Sequence, residues 1–232
     1  MLVFPISMSR IANTQDAAHN WKHIEELAEK VARTEGIGLT ILYSDYLYMH
    51  SSQDASEMRD KMLNSMLHHK RQFESLLAKH HWYIPRAFNF LTWGQAILQS
   101  RKPYMDCFKK LEKLYKENKE FRKCVHDDIK KSKRSTKDGS AVRFILDECV
   151  LLNLFQKGQI EVFNDYVFHH ERWILFCYPG KPLKSEVWIS QKNPFKLRNA
   201  QNRYEDSFYD LEGKKLYDYL KINLEKDASI FE

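Results

Sequence analysis

Glycine and proline are scarce in this chain, 7 and 6 among 232 residues. That excludes collagen-like repeats and Pro/Gly-rich low-complexity sequence, and it leaves few forced breaks in regular structure. No run of 18 apolar residues occurs, so nothing reads as a membrane-spanning helix. Cysteine is limited to Cys107, Cys124, Cys149 and Cys177, none in Cys-x-x-Cys spacing. Each sits in an apolar or helical context, which points to buried free thiols in a reducing compartment. The short apolar start is broken by Pro5 and then by polar residues, so no signal peptide is read and a cytoplasmic location is expected. There is no Walker motif, no dinucleotide fingerprint and no Gly-x-Ser-x-Gly elbow.

What is present is aromatic and basic. The chain has 12 Tyr, 14 Phe and 5 Trp, a net charge of +6 and a pI near 9.0. Such a balance favours an anionic partner, most commonly nucleic acid, although a basic soluble protein without one fits the charge equally well. The length suits a single domain over 1–232 with a substantial core.

Residues 2–6 read as a buried strand that stops at Ser7. Ala17, Trp21, Ile24, Leu27, Ala28 and Val31 recur at helical spacing, with Asn13 or Thr14 as cap and Gly36 as stop. A second β-rich run, 39–43, ends at Ser44-Asp45. Strand, helix, strand in this order is a βαβ unit and favours a parallel sheet. Ligands of open α/β sheets collect where strands end, which makes Ser7 a candidate nucleophile.

A long helix is expected over 54–81, with Met58, Met62, Met66, Phe73 and Leu77 inward. Arg59, Lys61, Lys70, Arg71 and Lys79 lie on its other faces, a pattern able to track phosphates or simply to be solvated. The adjacent pairs His68-His69 and His80-His81 point to different faces of a helix, and no metal site is expected. Further elements are expected as a strand at 83–90, a short helix at 93–98, one helix over 103–131 and an exposed basic loop at 130–139. Residues 140–156 are apolar on several faces, so this helix is buried and Glu148 lies in or beside the core. A carboxylate there needs an ion-pair partner or a ligand. Residues 173–177 read as a strand ending at Tyr178-Pro179-Gly180, a turn in which Tyr178 either serves a site or plugs the core. A further strand is expected at 186–190, and an amphipathic helix, weakened at Gly213, within 204–225.

In this order the landmarks resemble the tRNA-dependent cyclodipeptide synthases over roughly residues 2–180. Ile6-Ser7-Met8-Ser9-Arg10 stands where that family has a strand ending in Ile-Ser, the serine being its nucleophile. Ser44-Asp45-Tyr46-Leu47-Tyr48-Met49-His50 is similar to the end of its next strand, and the basic helix follows. Phe144-Ile145-Leu146-Asp147-Glu148 resembles its Tyr-x-x-x-Glu helix, and Tyr178-Pro179 its late strand end. Arg10, three residues after the serine, and Pro179 are similar to the subfamily with Pro after the late tyrosine, the X-Tyr-Pro type. Two departures stand out: Pro5 where the family often has glycine, and Phe144 in place of tyrosine.

The resemblance implies a single α/β domain, Rossmann-like, with a parallel central sheet flanked by helices, similar to the catalytic domain of Tyr- and Trp-type class I aminoacyl-tRNA synthetases. The ATP-binding signatures of those enzymes are missing here. The implied activity joins two aminoacyl-tRNAs into a cyclic dipeptide through an aminoacyl-serine and a dipeptidyl-enzyme, by a monomer needing neither ATP nor metal. The implied catalytic residues are Ser7, Glu148 and Tyr178; Val3, Pro5, Arg10, Phe144, Leu151 and Pro179 would bind substrate; Arg59, Lys61, Lys70, Arg71 and Lys79 would meet tRNA. The rival readings are a serine hydrolase and a non-catalytic RNA-binding module.

Overall fold

Leu2–Ile6 is a run of five buried residues, and it forms β1. Such a run suits a strand covered on both faces, as parallel strands are. The computed structural model describes residues 2–31, 38–48, 55–79, 87–132, 139–156, 175–192, 194 and 207–224. They fall into two units, Met1–Gln95 and Ala96–Glu232.

In the first unit β1 pairs in parallel with β2 (Gly38–Tyr43), and β2 in parallel with β3 (Ala87–Thr92). Helices α1 (Ala17–Val31) and α2 (Ala55–Lys79) connect them and pack on each other. The start of α1 lies later than expected, because Asp16 takes the capping role: its carboxylate accepts the His19 N–H at 2.9 Å. Gly36 lies outside the described residues, as do Asp54, His80 and His81. On α2, Met62, Met66 and Phe73 are buried as expected. His69 joins the same stripe, 1% exposed. It sits between the Tyr43 phenol (2.9 Å) and the Asn20 amide (3.2 Å), and burial pulls its pKa down to about 4.

The third strand is described over Ala87–Thr92, and residues 83–86 of the expected strand lie outside the described set. Helix α3 (Trp93–Gln99) starts in a capping box: Thr92 Oγ1 accepts the Gln95 N–H and Gln95 Oε1 accepts the Thr92 N–H, both at 3.0 Å. Asp45, at the end of β2, accepts the Gly94 N–H at 3.0 Å, and a Cβ on Gly94 would stand 3.0 Å from that carboxylate.

In the second unit the expected single helix over 103–131 is two, α4 (Arg101–Glu117) and α5 (Lys119–Lys131). Asn118 ends the first with extended backbone and caps the second by accepting the Phe121 N–H at 2.9 Å. Helix α6 (Ser140–Gln156) is buried as its composition predicts, with Ile145, Leu146, Cys149, Val150, Leu151, Leu152 and Leu154 at 4% exposure or less. Each such side chain contributes about 1.5–3 kcal/mol of burial. Strand β4 (Leu175–Tyr178) follows; Trp173 and Ile174 lie outside the described residues.

Two expectations after residue 180 are corrected. Residues 186–190 belong to a helix, α7 (Lys184–Lys192), because Asp128 of α5 supplies its N-terminal acceptor. That carboxylate takes the N–H groups of Lys184 and Ser185 at 2.9 Å and the Ser185 hydroxyl at 2.6 Å. The stretch 204–225 is no helix where it is described: it holds β5 (Ser207–Asp210), β6 (Lys215–Asp218) and a 3₁₀ turn (Tyr219–Lys221). Lys214, at φ 49°, turns the chain so that β5 and β6 pair antiparallel. Strand β5 pairs in parallel with β4. The expected α/β class, with mostly parallel strands flanked by helices, is observed.

All four cysteines are free thiols; Cys107, Cys149 and Cys177 are buried and Cys124 is half-buried. Among the described residues no helix is long and apolar enough to cross a membrane.

Candidate active site

Ser7 stands where β1 and β2 end together. Ile6 pairs with Tyr43, and the carbonyl of Ile6 accepts both the N–H of Ser44 (3.0 Å) and its hydroxyl (2.5 Å). The Pro5 carbonyl and the Ser7 N–H point to the opposite edge of β1, since successive backbone groups alternate along a strand. Gln15 satisfies both. Its Nε2 donates to Pro5 O at 2.9 Å and its Oε1 accepts the Ser7 N–H at 2.8 Å. The Ser7 carbonyl accepts the Arg10 N–H at 2.9 Å and closes a turn, so backbone bonds on both sides of the serine fix it.

The Ser7 hydroxyl lies 2.6 Å from the Tyr48 phenol and 3.0 Å from the Ser9 hydroxyl, and Ser9 lies 3.2 Å from Tyr48. These three hydroxyls grade from buried Ser7, 7% exposed, through half-buried Tyr48 to exposed Ser9. Among the described residues neither imidazole nor carboxylate bonds to Ser7 Oγ. A Ser-His-Asp arrangement is therefore not assembled at Ser7 by the residues described.

Val3 is fully buried and Pro5 buried, while Arg10 is half-buried. On α2, Arg59, Lys61, Arg71 and Lys79 are exposed. Lys70 is partly occupied by Glu74 at 3.8 Å and by the Phe90 ring at 5.1 Å. A groove of about 970 Å³ lies elsewhere, between α5 and α7, and a second groove borders the loop after Ser7 at Ile11 and Ala12. It measures about 730 Å³ and is lined by Ile11, Asp16, His68, Arg71, Gln72 and Lys79 among others. Arg71 and Lys79 thus share a groove with the loop that follows Ser7.

In the second unit Phe144 and Glu148 lie one helical turn apart on α6, both half-buried, and Leu151 is fully buried. Tyr178 is half-buried at the end of β4 and Pro179 is buried. The turn beyond them is held by Asp210: its Oδ1 accepts the N–H groups of Gly180 (2.9 Å), Glu212 (3.0 Å) and Gly213 (3.0 Å). Gly180 has φ +108°, a conformation that favours glycine. The Leu211 N–H donates to the Tyr178 carbonyl at 3.1 Å.

Two further carboxyls flank Glu148. Asp147 is fully buried against the Tyr104 hydroxyl and the Arg143 guanidinium (3.6 Å), and burial raises its pKa to about 6. Glu186 on α7 accepts the Tyr219 phenol at 2.7 Å. Burial, opposed by the Tyr219 bond and reinforced by the negative charge of Glu148, raises its pKa to about 8, so it is largely protonated at neutral pH.

Sequence reasoning assigned no role to Gln15, Tyr48, Asp210 or Glu186. Only Tyr48 carried a signal, its place four residues after Ser44 at the end of β2. The partners of the others are chosen by the fold.

The chain is similar to the solved structure of a CDPS from Fluoribacter dumoffii, with TM-score 0.55, 18% identity, and coverage of 85% of this chain and 87% of that one. It is similar also to a CDPS from Staphylococcus haemolyticus (TM-score 0.54, 14% identity, 85% and 84% covered). The fold is that of the cyclodipeptide synthases. A third similar structure is the Mycobacterium tuberculosis protein that relates cyclodipeptide synthetases to type I tRNA synthetases (TM-score 0.53, 14% identity, 79% and 74% covered). No family model matches the chain, and no curated protein matches it.

Proposed function

We propose that this protein is a cyclodipeptide synthase that uses two aminoacyl-tRNAs, of the subfamily with Pro after the late tyrosine. The observation that carries the reading is Ser7: a backbone-fixed serine at the carboxyl end of β1, its hydroxyl in a short hydrogen bond, in the fold of the cyclodipeptide synthases. An aminoacyl-tRNA is an activated ester, so a serine can take the acyl group without a full triad.

In the first step Ser7 Oγ attacks the ester carbonyl, and the terminal ribose oxygen leaves with a proton. Glu148 holds the α-ammonium of the acyl group and accepts its proton. The freed amine attacks the ester of the second aminoacyl-tRNA, and that tRNA leaves; the dipeptidyl group remains on Ser7. The new terminal amine then attacks the Ser7 ester, closing the diketopiperazine ring and returning Ser7. Tyr178 serves as proton carrier or oxyanion contact in these transfers. Val3, Pro5, Arg10, Phe144, Leu151 and Pro179 shape the acyl pocket, and the α2 cations meet tRNA phosphates. Neither ATP nor metal enters, because the ester already carries the activation.

The test is expression in a bacterium with mass spectrometry of the medium, beside Ser7→Ala. Wild type gives a cyclic dipeptide and an acylated protein; Ser7→Ala gives neither. Ester hydrolysis without cyclic product would favour a hydrolase, and RNA binding without any acyl-enzyme would favour a binding module.

A further inference from the structure

We propose that Tyr48 is a catalytic residue: its phenol carries the Ser7 proton, through Ser9, to the leaving oxygen of the ester. The proposal rests on the acyl-transfer reading above. Three observations support it. Tyr48 OH lies 2.6 Å from Ser7 Oγ, a short leg for an O–H···O bond. Among the described residues the partners of Ser7 Oγ are Tyr48 and Ser9, and no basic group bonds to it. The Ser7 N–H, the kind of donor that serves an oxyanion in other serine acyl-transfer sites, is committed to Gln15 at 2.8 Å.

The step balances without an external acid or base. The bond from Ser7 Oγ to the acyl carbon forms as the bond from that carbon to the ribose oxygen breaks. The Ser7 proton passes to Tyr48 Oη, the Tyr48 proton to Ser9 Oγ, and the Ser9 proton to the departing ribose oxygen. Tyr48 and Ser9 each lose and regain one proton. The gradient of exposure suits this order, since Ser7 is buried and Ser9 faces solvent, where a large leaving group must stand. Relays of this type contribute about 10²–10⁴-fold to a rate.

The experiment follows acylation of Ser7 by mixed aminoacyl-tRNAs in single turnovers, by intact-protein mass, for wild type, Tyr48→Phe, Ser9→Ala and Ser7→Ala, with Tyr46→Phe as control. Expected is an acylation rate lowered about 100-fold in both Tyr48→Phe and Ser9→Ala, with unchanged tRNA affinity. Tyr46→Phe keeps the wild-type rate. In wild type a proton inventory in mixed H₂O and D₂O is curved, as transfer of several protons requires, and it becomes linear in Tyr48→Phe. A Tyr48→Phe rate within threefold of wild type overturns the proposal. A linear wild-type inventory does so too, whatever the stability of the variants. Absence of acylation in wild type would instead sink the synthase reading. Labelling of Ser7 by a neutral phosphonofluoridate then decides the relay, and equal labelling of wild type and Tyr48→Phe overturns it.

Discussion

Asp210 and Gly180, thirty residues apart in sequence, are joined by a 2.9 Å hydrogen bond from the glycine N–H to the carboxylate. The same oxygen takes two more N–H groups, from Glu212 and Gly213. One buried carboxylate therefore fixes both the turn after Tyr178 and the turn after β5. Asp210→Ala leaves three donors without this acceptor and is expected to cost about 2–4 kcal/mol, read as a lowered urea midpoint. Gly213→Ala is expected to destabilise as well, by about 1–3 kcal/mol, because a Cβ there would stand 2.5 Å from Asp210 Oδ2.

Gln15 acts as a one-residue substitute for a neighbouring strand at the end of β1. Gln15→Ala leaves the Pro5 carbonyl and the Ser7 N–H without partners in a buried place and is expected to cost about 2–3 kcal/mol. Gln15→Glu sets an acceptor against the Pro5 carbonyl and is expected to cost more. Denaturant titration measures both, and a Gln15→Ala midpoint equal to wild type would contradict the role.

These contacts mark what the sequence could and could not reveal. The strand before Ser7 was legible because five apolar residues stop at a serine, and α6 was legible because its faces are nearly all apolar. Residues 186–190 resemble a strand by local composition, yet Asp128, 57 residues before Ser185, caps them into a helix. Residues 204–225 carry apolar residues at spacings that suit a helix, and Lys214 at φ 49° turns Ser207–Asp210 back on Lys215–Asp218 as a hairpin instead. Tertiary partners overrode local pattern in both cases. The same holds for Gln15 and Asp210, whose acceptors do nothing recognisable until the chain brings their donors to them.

Glu186 gives the protein a pH dependence of defined sign. Its folded pKa of about 8 lies above the ordinary 4.5. The folded state therefore holds a proton that the unfolded chain releases, and the stability from this group is complete below about pH 4.5 and is lost as pH rises through about 8. Each pH unit in that window costs about 1.4 kcal/mol. Glu186→Gln keeps an acceptor for Tyr219 and removes the titration. The variant is expected to match wild type near pH 4 and to exceed it in stability near pH 8, measured by urea unfolding at both values. Parallel pH profiles for the two proteins would refute the assignment.

The α2 cations differ in how free they are. Arg59, Lys61 and Arg71 are exposed, while Lys70 is engaged by Glu74 and Phe90. Replacing the first three with alanine is expected to weaken tRNA binding and to flatten the plot of log affinity against log salt by about 0.7–0.9 for each phosphate no longer neutralised. Lys70→Ala is expected to change the slope less. A slope equal to wild type in the triple variant would contradict the proposed role of α2 in tRNA binding.

Two thiols adjoin proposed active-site residues in sequence: Cys149 follows Glu148 and Cys177 precedes Tyr178. Burial lifts both pKa values well above the ordinary 9.0, so both stay protonated. Only a thiolate competes well for an activated ester. In the proposed acyl transfer the fold would thus confer chemoselectivity, favouring an ester on a hydroxyl over a thioester on either sulfur.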